Sequence, residues 1–227
     1  MPRVARVIFP GVPHHVTQRG NRREEVFFTE EDRTSYLVWL KEYAEKHEVR
    51  VLAYCLMTNH IHLILVPGTK EGLHGVLKPL HMRYAQRINR NRGWSGHVWQ
   101  GRYFSAPLDE AYTWAAIRYV ERNPVRAEMV GRAEEYRWSS ARAHCGLCAD
   151  PLLRTGQELT QAIPTGQAWS NWLSEADEPE KLEILRRNVD KGLPCGSEEF
   201  IERLSKQVGR SLKFVPQGRP RKRTEKG

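Results

Sequence analysis

Residues 59–65 read Asn-His-Ile-His-Leu-Ile-Leu, two histidines separated by one aliphatic residue. On a strand, side chains alternate between faces, so His60 and His62 project together. Ile61, Leu63 and Leu65 take the other side and can enter a core. Strand rise sets the two imidazoles ~6–7 Å apart along the backbone, close enough to grip one metal ion. The same spacing also fits a pair of satisfied surface histidines. Any further donors must come from elsewhere in the chain. Tyr119 and Asn123 stand four residues apart in a helical pattern and therefore share a face. A phenol can serve as a nucleophile and an amide carbonyl as a ligand. The plain alternative is that Tyr119 packs in a core and Asn123 ends a helix before Pro124. The pair Cys145 and Cys148, with His144 beside it, has zinc or redox spacing. No second pair accompanies it, so these thiols read as incidental.

The elements that would carry these groups follow from pattern and punctuation. Residues 13–18 are partly β-branched and closed by Gly20-Asn21, which predicts a strand and a turn. Thr29, followed by Glu30, Glu31 and Asp32, predicts a helix N-terminus. Tyr36, Leu37, Leu40, Tyr43 and Ala44 continue it at helical spacing to His47. Residues 49–57 and 60–66 read as strands joined by Thr58-Asn59. Leu73, Val76, Leu77, Leu80, Tyr84 and Ile88 mark a second helix. Residues 93–107 suggest a hairpin or strand, and 109–123 a third helix stopped by Pro124. The order β-α-β-β-α-β-α predicts an α+β sandwich, a mostly antiparallel sheet with helices on one face. The expected divisions are a core domain over 1–145, an extension with short helices over 146–215, and a basic tail over 216–227. In the extension, helices are expected near 169–173 and over 197–208. The tail lacks core-forming residues and is expected to be disordered when free.

The 227 residues carry 36 Lys and Arg against 27 acids, a net +9. Residues 209–227 hold seven bases and one acid, and residues 72–108 hold six bases and no acid. The second stretch contains Lys78, Arg83, Arg87, Arg90, Arg92 and Arg102, interleaved with Tyr84, Trp94, Trp99, Tyr103 and Phe104. Basic patches meet phosphate and aromatics stack on unpaired bases, so nucleic acid is the expected partner. No run approaches the ~20 apolar residues of a membrane helix, and residues 1–9 lack a secretory apolar core. Four cysteines are too few for a disulfide scaffold, which points to a cytoplasmic protein with free thiols. No G-x-x-x-x-G-K-[ST] loop is present, so ATP is not expected.

Several segments together resemble one family. Residues 10–21 (PGVPHHVTQRGN), 57–64 (MTNHIHLI), 101–104 (GRYF) and 119–127 (YVERNPVRA) are similar to the REP-associated tyrosine transposases. These belong to the wider HUH single-tyrosine transposases of bacterial insertion sequences. Residues 136–140 and 196–200 also resemble them. The family often has an aromatic where this chain has His14, so His14 is not taken as a ligand. The resemblance implies a ferredoxin-like α+β fold, Tyr119 as nucleophile, and His60, His62 and Asn123 as ligands of one Mg²⁺ or Mn²⁺. It implies cleavage and rejoining of single-stranded or hairpin DNA, a repeated extragenic palindrome, through a 5′-phosphotyrosine. Arg83, Arg87, Arg90, Arg92 and Arg102 would track the backbone, while Trp94 or Trp99 would stack on an extruded base. Residues 218–222 (GRPRK) resemble an AT-hook core, in which Arg219 and Arg221 would enter a minor groove. A nucleoid-associated bacterial protein is the expectation, with monomer and dimer both open and the monomer favoured. The alternatives are a catalytically silent DNA-binding protein of this fold and a hydrolase using activated water.

Overall fold

The computed structural model describes residues 7–153 and 166–215. β1 (His14–Arg19), α1 (Glu30–Lys46), β2 (Val49–Leu56), β3 (His60–Pro67), α2 (Gly72–Arg92), β4 (Phe104–Pro107) and α3 (Glu110–Glu121) follow in that order. The four strands form one sheet in the order β2-β3-β1-β4, every neighbour antiparallel. This β-α-β-β-α-β winding is the ferredoxin-like arrangement. Among the described residues, no helix is long and apolar enough to cross a membrane.

Local chemistry accounts for the element ends. Thr29 caps α1 by accepting the Asp32 backbone N–H, and the Asp32 carboxylate accepts the Thr29 N–H in return. Such a reciprocal box satisfies two donors that the first helical turn leaves open. α2 closes on Gly93 in the left-handed conformation, φ 64°, where a Cβ would be strained. α3 starts from Asp109, whose carboxylate accepts the Tyr112 N–H.

Two expectations need correction and one narrows. First, helices cover both faces of the sheet. Ile61, Leu63 and Leu65 join α1 and α2 in one core cluster. Ile64, Val66, Ala53 and Ala106 join α3 and the C-terminal helices in another. The reason is visible in β2 and β3, which are buried almost continuously, as strands covered on both sides must be. Second, of the hairpin or strand expected over residues 93–107, the structure has the strand. Only β4 is a strand, and Trp99 reaches β1 through a single bridge to Gly20. Third, α3 ends at Glu121, and Pro124 sits in the first turn of a separate short helix, α4 (Asn123–Arg126). Proline is tolerated there because first-turn N–H groups have no helical partner.

Beyond α5 (Ala141–His144), the described C-terminal helices are α6 (Gln167–Ser174), α7 (Pro179–Lys191) and α8 (Glu198–Val208). They are bound to the sheet domain by packing and hydrogen bonds. Trp169, Leu173, Leu185, Val189 and Cys195 share the second core cluster with α3. Cys195 exchanges backbone hydrogen bonds with Pro107 and Asp109. Glu121, fully buried on α3, accepts from Ser140 Oγ, from the Trp169 indole at 2.9 Å and from His144 Nδ1 at 2.6 Å. These bonds fix the helix that carries Tyr119 against α5 and α6. Arg219 and Arg221, and with them the tail, lie outside the described residues.

Candidate active site

The second face of the sheet carries the chemistry. Thr17 of β1 stands opposite His62 of β3, and Arg19 stands opposite His60. Directly paired residues share a face, so His15, Thr17, Arg19, His60 and His62 form one polar strip. α3 and α7 cross this side and leave a cavity of about 350 Å³. Its wall is made by that strip, Gln100, Phe104, Tyr119, Arg186 and Asp190, with neighbours. The volume lies at the low end of small-ligand clefts, ~300–1,000 Å³, which fits a phosphodiester and part of a nucleotide rather than a duplex.

The rings form a tight cluster. His60 and His62 lie 5.0 Å apart between centroids and nearly perpendicular. The Tyr119 ring meets His62 edge-on at 5.5 Å. Asn59 donates its amide N–H to the Arg23 carbonyl at 2.9 Å, which turns its carbonyl oxygen to His60 Nδ1, 2.6 Å away. That contact requires the proton on Nδ1, so neutral His60 keeps its lone pair on Nε2. Burial pushes the His60 imidazole down to about 4, with the Arg19 guanidinium adding to the effect. Burial drives His62 well below the ordinary histidine range, helped by His15, His60, Arg126 and Arg19. Both are therefore neutral near pH 7, as metal ligands must be. Two neutral imidazoles on one wall of an open cavity fit a divalent ion with free coordination positions. Among the described residues, no set of three histidine, cysteine or carboxylate ligands is assembled.

The structure brings His60, His62 and Tyr119 together. It places Asn123 one turn beyond Tyr119 and off the cavity wall, with its amide N–H donating to the Tyr119 carbonyl at 3.2 Å. Tyr103 packs in the other core cluster, and Tyr112 does not line the cavity. Of the expected DNA contacts, Arg83 pairs with Glu42 at 2.9 Å and Arg87 with Asp32 at 3.5 Å. Arg90, Arg92, Trp94 and Arg102 are exposed. Arg92 lies 3.9 Å over the Phe28 ring, beside Trp94. Trp99 is core, its indole donating to the His81 carbonyl, so Trp94 is the tryptophan of this pair free to stack. Cys145 is buried, and burial pushes its thiol up to about 12, while Cys148 is exposed. His144 turns to Glu121.

Sequence reading missed four site residues. His15 was legible, because it alternates with Thr17 and Arg19 on a strand already expected. Arg126 places its guanidinium 4.2 Å from the Tyr119 ring centre and donates to the Tyr119 carbonyl. Arg186 lies 5.7 Å from the same ring centre, and Asp190 is one helical turn further on. Nothing local marks the last two, which reach the cavity only because α7 packs across α3 and β4.

No curated protein matches the chain. The solved structure of a REP-associated tyrosine transposase bound to a REP hairpin is similar in fold. Its TM-score is 0.52 at 15% identity, over 74% of this chain and 98% of that one. A Deinococcus radiodurans protein described as a transposase aligns with a TM-score of 0.37 and 18% identity, over 54% of this chain and 94% of that one. The family described as "Transposase IS200 like" matches residues 10–123. That span begins before β1 and ends at Asn123, so it takes in the whole sheet, both histidines and Tyr119, and the chain belongs to the IS200-like transposase family.

Proposed function

We propose that this transposase cleaves and rejoins single-stranded or hairpin DNA through a covalent 5′-phosphotyrosine at Tyr119. The observation that carries the reading is Tyr119 on the wall of the cavity that His60 and His62 line, edge-on to His62 at 5.5 Å. The similar solved structure was bound to a REP hairpin, which supports a folded palindromic repeat as substrate. The exposed Arg90, Arg92, Trp94 and Arg102 offer phosphate contacts and a stacking surface along it. Arg219 and Arg221 would add contacts from the tail.

His60 and His62 would hold one divalent ion through Nε2, and Asn123 would join them as third ligand only after its amide turns away from the Tyr119 carbonyl toward the cavity. An ion bound there would supply Lewis-acid polarisation of a scissile phosphate and charge stabilisation on the departing oxygen. Mg²⁺ is the expected ion, and two imidazoles accept Mn²⁺ at least as readily. The chain's own residues do the rest. Tyr119 forms a bond from its phenol oxygen to phosphorus, and the bond from phosphorus to the 3′-oxygen breaks. The phenol proton leaves through cavity water and ends on the 3′-hydroxyl, so atoms and charge balance. Arg126 and Arg186 set positive charge beside the ring, which would stabilise charge on the phosphate as the bond to phosphorus forms. Attack by another 3′-hydroxyl reverses the step and needs no ATP.

The test is incubation with a cognate hairpin and Mn²⁺, followed by peptide mapping of the adduct. DNA should be found on Tyr119. Tyr119→Phe, which keeps the ring, should lose both cleavage and adduct while keeping fold and hairpin affinity. An adduct on Tyr103 or Tyr112, or cleavage by Tyr119→Phe near the normal rate, would overturn the mechanism. DNA binding without any adduct in the unaltered protein would favour a silent binding protein.

A further inference from the structure

We propose that His15 is a positioning residue for the site, accepting the Nδ1 proton of His62 and so presenting the His62 Nε2 lone pair to the cavity. This rests on the reading of His60 and His62 as metal ligands. The geometry is specific. His15 Nε2 lies 2.9 Å from His62 Nδ1, and the rings stack 5.2 Å apart at 29°. His15 also meets the Tyr119 ring edge-on at 5.7 Å. It therefore touches both the candidate ligand and the candidate nucleophile.

The bond between two neutral imidazoles has two arrangements, and they differ in consequence. If His15 donates, His62 carries its proton on Nε2 and offers no lone pair to a cation. If His62 donates, its Nε2 is a ligand and His15 carries its own proton on Nδ1. A cation in the cavity selects the second arrangement. A metal-bound histidine is held in its tautomer by the hydrogen bond its other nitrogen makes, and His15 Nε2 is the acceptor for His62.

A packing role does not explain the same facts. His15 is 1% exposed, and its Nδ1 is a buried polar atom with no partner among the described residues. An unpartnered buried nitrogen is costly, and an aliphatic side chain of similar size would fill the space without it. The neighbouring His14 shows the contrast. It projects to the opposite face and bonds the Val12 carbonyl at 2.8 Å, a local tie that touches neither His62 nor Tyr119.

The test compares His15→Gln, which keeps an acceptor near the Nε2 position, with His15→Leu, which only packs. Mn²⁺ binding is read by the loss of the free-ion electron paramagnetic resonance signal in the DNA-free protein. The expected result is Mn²⁺ affinity within about threefold for His15→Gln and at least tenfold weaker for His15→Leu, the low end of second-shell effects. The reverse order, with His15→Leu near normal, would overturn the proposal. His62→Ala separates the two readings. If it binds Mn²⁺ as tightly as the unaltered protein, the metal-site reading fails first. A second measurement needs no variant. In the Zn²⁺-loaded protein, ¹⁵N shifts should show His62 Nδ1 protonated, and an unprotonated Nδ1 would overturn the proposal even if His15→Leu fails to fold.

Discussion

Histidine alternation on β3 was readable from residues 60–66 because a strand has a period of two and the intervening residues are aliphatic. Tyr119 was readable as a candidate because a phenol and an amide one turn apart share a helix face. The fate of the Asn123 amide was not, since its bond to the Tyr119 carbonyl depends on where α3 gives way to α4. At this scale the metal reading has a direct consequence. His62→Ala removes one of two neutral imidazoles and opens space beside Tyr119. DNA cleavage should fall below detection at ordinary Mn²⁺ or Mg²⁺ concentration. Hairpin affinity should stay within a few-fold, because phosphate contacts supply most of it. Cleavage assays and electrophoretic mobility shifts on one preparation check both arms. Undiminished cleavage would remove the imidazole pair from the mechanism.

Element order and sheet type were legible because caps, turns and periodicity are local. The placement of α7 was not, since the contacts that seat it are long-range, to α3 and β4. Its consequence is that the region matched by the family, 10–123, does not complete the cavity. Arg186 and Asp190 reach it from α7, with Val189 in the shared core beneath them. α3 in turn is fixed by the buried Glu121, so the two helices hold Tyr119 and Arg186 at a set distance. In the proposed mechanism an arginine on the cavity wall beside the Tyr119 ring would stabilise charge that develops during attack. Removing one such donor costs about 10²-fold in rate in well-studied enzymes. Arg186→Ala should therefore slow cleavage by about that factor with melting temperature unchanged. Arg186→Lys should recover part of it, since charge remains but the planar fork is lost. Single-turnover cleavage at saturating DNA isolates the chemical step from binding. An unaltered rate for Arg186→Ala would leave α7 a structural cover.

The whole molecule places neutral histidines in separate parts of its interior. His81 belongs with α1 and α2, where its Nε2 meets the Tyr36 hydroxyl at 3.0 Å. His15 belongs to the site face, and His14 packs by Phe9 on the opposite side of β1. Burial pushes His14 down to about 4, and His15 and His81 to about 3. The sign follows directly. Above the unfolded value of ~6.5 these groups are neutral in both states and do not affect the balance. Below it the unfolded chain binds protons that the folded chain refuses, so stability falls as pH falls. Each such histidine contributes a loss of about 1 kcal/mol between pH 6.5 and 5.5, and about 1.4 kcal/mol per unit below that, until its folded value is reached. Three of them together remove roughly 7 kcal/mol by pH 4.5, which is comparable to the ~5–15 kcal/mol of a typical domain. Without added metal, urea midpoints should be flat from pH 8 to 7 and then fall steeply, with unfolding setting in near pH 4.5–5. His60 and His62 are depressed in the same way, so the double variant His14→Phe with His81→Gln removes two of five such titrations. Whatever its stability at pH 7, its midpoint should depend less on pH between 6.5 and 5, by about two fifths of the summed histidine slope. A pH dependence identical to that of the unaltered protein would show that these imidazoles are protonated in the folded state.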